Sequence, residues 1–239
     1  MYKTILFEAH RVLVRPVTGH WFIPPRFFEI IPSRGFDTYH DIERNAAFAQ
    51  AAEVLADYPV VQTKEDELQL FIEYYRMFFA CLPRLQITNR QIEAVAADMV
   101  NNPGKFEFLP DAMEAINRLE SCVKLAVAAD SWPSLEDVFQ HAGMRHHFSS
   151  FVISTQLGLA KPDPRLFLAA LHELNISPRE ALYVDDSKTN CDAAHGMGLR
   201  TALLRRDGLE YVIARLTCRT HMVIRSLREL PELIGFDRV

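Results

Sequence analysis

The sequence predicts an α/β protein: a doubly wound parallel sheet, interrupted after its first strand by an inserted α-helical region. Three observations predict it. From residue 111 onward, short continuous apolar runs alternate with helical stretches, the pattern of a parallel sheet covered on both faces. A further apolar run, Thr4-Ile5-Leu6-Phe7, stands alone near the N-terminus. Between the two, residues 15–105 carry helical rather than alternating periodicity.

Taken in order, the first strand ends at Phe7 and is followed by Glu8-Ala9-His10. From Arg15 to Phe36 prolines and glycines punctuate aromatic residues, which reads as a packed loop. Helices are expected over 37–58, from Thr63 and from Thr88. Thr63 with Asp66, and Thr88 with Gln91, have the spacing of capping boxes. Leu68, Phe71, Ile72, Tyr75, Phe79 and Leu82 recur at helical spacing until Pro83 stops the second helix. Helix 111–120 then leads to a strand over 123–129, and a helix from Pro133 to a strand over 151–153. Helix 164–174 leads to a strand over 181–184, and helix 188–197 to one over 201–204.

With 239 residues, 49% of them apolar and 24% charged, the chain has enough material for a core without disulfide staples. A net charge of −5 argues against a general nucleic-acid or anionic-membrane binder, and no apolar run approaches the length of a membrane helix. The N-terminus is too quickly charged for a signal peptide. Four scattered cysteines without CxxC spacing argue against a zinc site and for a reducing cytoplasm.

In open parallel sheets ligands bind beyond the carboxyl ends of the strands, so the residues following each strand are the ones to inspect. Asp185-Asp186 is the clearest signal. Adjacent carboxylates repel, and their pairing in a cleft suits a Mg²⁺ ion; the bland alternative is an acidic start to the helix that Ser187 would cap. Lys161 lies in Gly158-Leu159-Ala160-Lys161-Pro162-Asp163-Pro164, a stiff loop that can present an ammonium to an anion, although a lone lysine is most often a solvated surface charge.

Lys161-Pro162-Asp163-Pro164, Tyr183-Val184-Asp185-Asp186-Ser187-Lys188-Thr189-Asn190, Ala193-Ala194, Gly196-Met197-Gly198 and the ending Val223 to Leu230 together resemble the haloacid dehalogenase superfamily, in its subclass with a helical cap after the first strand. The resemblance covers nearly the whole chain. It implies a Rossmannoid core over 1–14 and 106–239, a cap over 15–105, and a Mg²⁺-dependent phosphatase acting on a small phosphorylated molecule. Lys161 is then the phosphate clamp, and Glu8, the carbonyl of His10, Asp185 and Asp186 are the metal-binding set. Ala129 and Asp130, after the strand over 123–129, stand in the substrate-binding second motif.

The first two motifs depart from the family pattern. Glu8 stands where the resemblance expects the nucleophilic aspartate, and His10 where it expects the acid/base aspartate. Ala129 stands where a serine or threonine hydroxyl would hold the phosphoryl group. The dehalogenase branch works without Mg²⁺ but retains the nucleophilic aspartate, so the phosphatase branch is the nearer likeness. Two readings follow: a hydrolase with impaired or lost turnover, or a non-catalytic binding module for a small molecule or protein. Histidine remains a competent acid/base near neutral pH.

Other features are discounted. His146-His147 lacks matching carboxylate spacing, Arg205-Arg206 is too short a basic run, and Arg15, Arg26 and Arg34 could meet an anionic substrate from the cap side but read better as solvated surface. Trp21, Phe22, Phe27 and Phe28 are expected to pack the cap, with the lining of a substrate entrance as the alternative. Tyr74, Tyr75, Phe78 and Phe79 are expected to form cap core or a homodimer patch.

Overall fold

The structure is a computed structural model that describes residues 2–58 and 60–235. Its contacts divide the chain into two units: Met1–Arg15, Phe108–Ser131 and Ala142–Val239 form the first, and Pro16–Glu107 with Trp132–His141 the second.

The first unit is built on a six-stranded parallel sheet. Its strands are β1 (Thr4–Phe7), β4 (Lys124–Ala129), β5 (Phe148–Ile153), β6 (Ala181–Asp185), β7 (Arg200–Leu204) and β8 (Met222–Ile224), in the order β5-β4-β1-β6-β7-β8. β1 and β6 are buried along their whole length, and β4 is buried after Lys124. That is why their sequences are unbroken apolar runs rather than alternating ones. Two shorter strands, β2 (Val14–Pro16) and β3 (Phe106–Phe108), pair with each other where the chain passes between units, and no sequence signal had pointed to them.

Register places the site. Phe7 at the end of β1 lies beside Val127 on β4 and Val184 on β6, so Glu8, Ala129 and Asp185 emerge at one edge. Helix Pro164–Leu174 locks this arrangement from one face. Asp163 caps it, Pro164 opens it and Asn175 closes it in a left-handed conformation, while Leu166, Phe167, Ala170 and Leu171 pack against Leu6, Ala128 and Tyr183. Each of the large side chains Leu166, Phe167 and Leu171 contributes about 1.5–3 kcal/mol on burial, which holds the strand ends in place.

The second unit holds the helices Asp41–Ala56, Lys64–Ala80 and Asn89–Asn101. Both threonine capping boxes form: Thr63 accepts from the Asp66 N–H and Thr88 from the Gln91 N–H. The first helix starts later than its sequence pattern suggested, and the stretch before it contains short turns of helix at Phe27–Ile30 and Ser33–Phe36. The aromatic residues pack within the unit: Phe48 stacks on Phe78 at 4.4 Å and Phe22 on Tyr74 at 4.9 Å.

Residues Trp132–His141 group with this second unit, although sequence placed them in the core. The cause is a buried polar tie. Glu67 accepts from both the N–H and the hydroxyl of Ser134, and Lys105 donates to Ser134 Oγ at 2.5 Å and to the Met99 carbonyl at 2.7 Å. Lys64 pairs with Asp137, and Trp132 packs edge-on against Phe71. Among the described residues no helix is long and apolar enough to cross a membrane, and the four cysteines are free.

Candidate active site

All seven residues singled out in the sequence belong to the first unit, at or beyond the carboxyl ends of β1, β4, β5 and β6. Glu8 continues β1 by one hydrogen bond, its N–H donating to the Val184 carbonyl at 3.0 Å, and its side chain is buried. The chain then turns back on itself, with the N–H groups of Leu13 and Val14 both bonding the Ala9 carbonyl. Arg11 adopts a left-handed backbone, φ 63°, which costs a non-glycine residue on the order of 1–2 kcal/mol.

The Glu8 carboxylate is heavily engaged. Oε1 accepts the N–H of Ala9 at 2.7 Å and of His10 at 3.1 Å; Oε2 accepts the ammonium of Lys161 and, at 3.5 Å, the N–H of Asp130. Lys161 has no exposed side-chain surface, and also donates to the Ala128 carbonyl at 2.9 Å and to the Tyr183 hydroxyl at 3.1 Å. Burial pushes its ammonium down to about 8, with Asp185 and Asp186 holding it up. The lysine that sequence reading would leave as a solvated charge is instead a central buried one.

Asp185 is equally committed. Its Oδ1 accepts the Ser187 N–H at 2.8 Å, and its Oδ2 accepts the Asn190 amide at 2.9 Å and the Tyr183 hydroxyl, with Lys161 3.8 Å away. Ser187 caps helix Lys188–Gly196, as the helix-start reading of this segment expects. Asp186 is more open: its Oδ2 lies 3.7 Å from Arg11, and its backbone carbonyl accepts from Arg205. Burial, then the neighbouring Asp185, raises its carboxyl, with Arg11 opposing.

On the β4 side, Ala129 is fully buried and brings only a methyl group to the second motif. Asp130 accepts the Lys161 backbone N–H at 2.9 Å, and burial raises its carboxyl to about 6. The structure thus gathers Glu8, Asp130, Lys161 and Asp185 in one network, with Asp186 at its edge against Arg11. His10 enters through its backbone N–H on Glu8.

Two participants were not singled out from sequence. Tyr183 sits two residues before Asp185 on one face of β6, a spacing that period-two reading identifies; Arg11 becomes legible only once the turn is folded. Asn190 closes the stretch after β6 that the strand-end rule marks. Arg11, Asp186, Arg205 and Arg206 line a concavity of about 230 Å³ beside the network.

A magnesium site would draw on Glu8, the His10 carbonyl and Asp186. Among the described residues no three His, Cys, Asp or Glu side chains gather as a metal cage. As arranged, the set does not fit the ion: both Glu8 oxygens are bound by N–H or ammonium donors, and both Asp185 oxygens by N–H and O–H donors. The Asp186 carboxylate is faced by a cation, Arg11, 3.7 Å away.

Comparison with known proteins follows the same lines. The profile of the haloacid dehalogenase-like hydrolase family matches residues 42–204. A glyceraldehyde 3-phosphate phosphatase of Methanopyrus kandleri is 28% identical over 59% of this chain and 65% of its own length. A phosphoserine phosphatase of Thermus thermophilus is 42% identical over 26% of each chain. The chain therefore spans under two thirds of these curated relatives. It spans 96% of a pyrimidine 5′-nucleotidase of Escherichia coli, with 24% identity over 83% of this chain. Among solved structures, a haloacid dehalogenase-type phosphatase of Thermococcus onnurineus superimposes with a TM-score of 0.65 at 20% identity, covering 99% of this chain and 100% of its own. A 2-haloacid dehalogenase of Pseudomonas syringae gives 0.66 at 15% identity, covering 98% and 99%. At such identities the structures establish the fold.

Proposed function

The chain belongs to the haloacid dehalogenase-like hydrolase family, and from that premise we propose that it is a cytoplasmic, helical-capped member of the phosphatase type whose turnover of small phosphorylated metabolites is impaired or lost. The observation that carries this reading is the state of Glu8. In the family resemblance this position attacks phosphorus in line. Here its carboxylate is bound by Lys161 and by the N–H groups of Ala9 and His10. An attack would require it to leave all three partners, and its extra methylene displaces the reacting oxygen. A misplacement of about 1 Å is worth on the order of a hundredfold in rate.

The remaining changes act in the same direction. Ala129 removes a hydroxyl bond to a charged phosphoryl group, worth about 1.5–3 kcal/mol. Lys161, the expected phosphate clamp, is already neutralised by Glu8. When bound, Mg²⁺ would supply charge neutralisation at the phosphoryl oxygens. Glu8, the His10 carbonyl and Asp186, with Asp185 beside it, are the groups that would hold it, and only with Glu8 released from Lys161. The relatives named as phosphatases and nucleotidase support small phosphorylated compounds as the substrate class.

The test is a phosphatase screen with a broad metabolite panel, comparing wild type, Lys161→Ala and the double variant Glu8→Asp/His10→Asp. Wild-type turnover no higher than that of Lys161→Ala, with activity created or raised at least tenfold in the double variant, is expected. A folded but inert double variant would refute the account of the defect. Ala129, which brings no hydroxyl, also favours a second reading, a non-catalytic binding module on this scaffold, and an inert wild type that still binds a small molecule or protein would select it.

A further inference from the structure

The groups around Glu8 form a recognisable receptor. Two consecutive backbone N–H groups, those of Ala9 and His10, point at one oxygen; a third, of Asp130, and the Lys161 ammonium point at the other. Consecutive N–H groups aimed at one point make an anion-binding concavity, and a buried ammonium beside them adds a full charge. The ammonium has no exposed surface and the Glu8 side chain is 7% exposed, so the receptor is shielded from water. Every donor in it is directed at a carboxylate that belongs to the chain.

We propose that these donors constitute an oxyanion receptor and that Glu8 is its built-in occupant, a tethered carboxylate that excludes free phosphate and carboxylate anions from wild-type protein. The tether favours the internal ligand because its effective concentration far exceeds that of any dissolved anion. Size supports the exchange in a variant. Replacing Glu8 by glycine removes as many non-hydrogen atoms as orthophosphate contains, and replacing it by alanine removes as many as acetate contains. Glu8→Gly should therefore receive phosphate, and Glu8→Ala acetate, on the donors that Glu8 vacates.

The inference rests on the functional reading above only in treating this cluster as the phosphoryl end of the site, and its readout is binding rather than turnover. Thermal midpoints are measured against phosphate or acetate, with chloride at matched ionic strength as the control. Saturable stabilisation of Glu8→Gly by phosphate and of Glu8→Ala by acetate is expected, with no response from wild type. In Glu8→Gly/Lys161→Met, affinity for phosphate should fall at least tenfold.

A folded Glu8→Gly that ignores phosphate would overturn the proposal, as would equal affinity with and without Lys161. Should Glu8→Gly fail to fold, Glu8→Ala with acetate carries the test alone: saturable stabilisation is expected, and a folded variant that ignores acetate refutes the idea. In every case, wild-type amide resonances of Ala9, His10 and Asp130 should stay fixed as phosphate is added. Movement of those signals would overturn the built-in occupant even if wild type proves catalytically inert, whereas catalytic turnover of a metabolite would count against the functional reading first.

Discussion

Asp130 shows how much of the site's behaviour depends on a single half-buried carboxyl. Its carboxyl rises from 3.8 to about 6, chiefly through burial, while the Lys161 N–H it accepts pulls the other way. Above its raised value the native state must hold a charge that burial disfavours. The stabilising contribution of the neutral form is therefore complete below 3.8 and is lost as pH climbs through about 6. Asp130→Asn keeps an oxygen for the Lys161 N–H and removes the titration. It is expected to be about 1–3 kcal/mol more stable than wild type at pH 7.5, the difference vanishing below pH ~4, as read by urea unfolding across that range. At this scale the sequence was partly legible. Glu8, Lys161 and Asp185 were identified by position, but that Lys161 and Glu8 satisfy each other depends on side-chain directions that no spacing encodes.

The elements were the most legible level, because their signals are local. Helix Pro164–Leu174 has the bounds its Asp163-Pro164 start and apolar spacing implied, and Thr63 and Thr88 make the caps their boxes announced. A cap bond of this kind contributes about 1 kcal/mol, so Thr88→Ala should lower stability by that amount in denaturant titration without altering the slope of the transition. Helix Gly208–Thr217, by contrast, was not anticipated. Leu209, Val212, Ile213 and Leu216 recur at helical spacing, so its signal was present in the sequence and went unread, and all four are more than half exposed. β2 and β3 were missed for another reason: three residues are too few to establish an alternation.

Across the whole molecule, the division into two units departs most from sequence expectation, and Glu67 is the residue that tests it. Buried completely, with its carboxyl raised by burial against the pull of Lys105, it anchors Ser134 to the second unit. Removing one member of a buried ionic cluster costs about 3–5 kcal/mol where both partners are sequestered. Glu67→Ala should accordingly accelerate hydrogen exchange at Ser134 while Ala126 and Val127 in the sheet stay protected; equal acceleration at both would show that residues 132–141 answer to the core instead. The sequence by itself determined the family, the parallel sheet and the residues that stand at its carboxyl edge, because apolar runs, caps and motif spacing are properties of neighbouring residues. Only the tertiary structure decided that segment 132–141 joins the helical unit and that the Lys161 ammonium and the N–H groups of Ala9 and His10 converge on Glu8. Both depend on buried charges from distant parts of the chain finding one another, Glu67 with Lys105 and Ser134, Glu8 with Lys161. Desolvation leaves such groups no alternative partner in water.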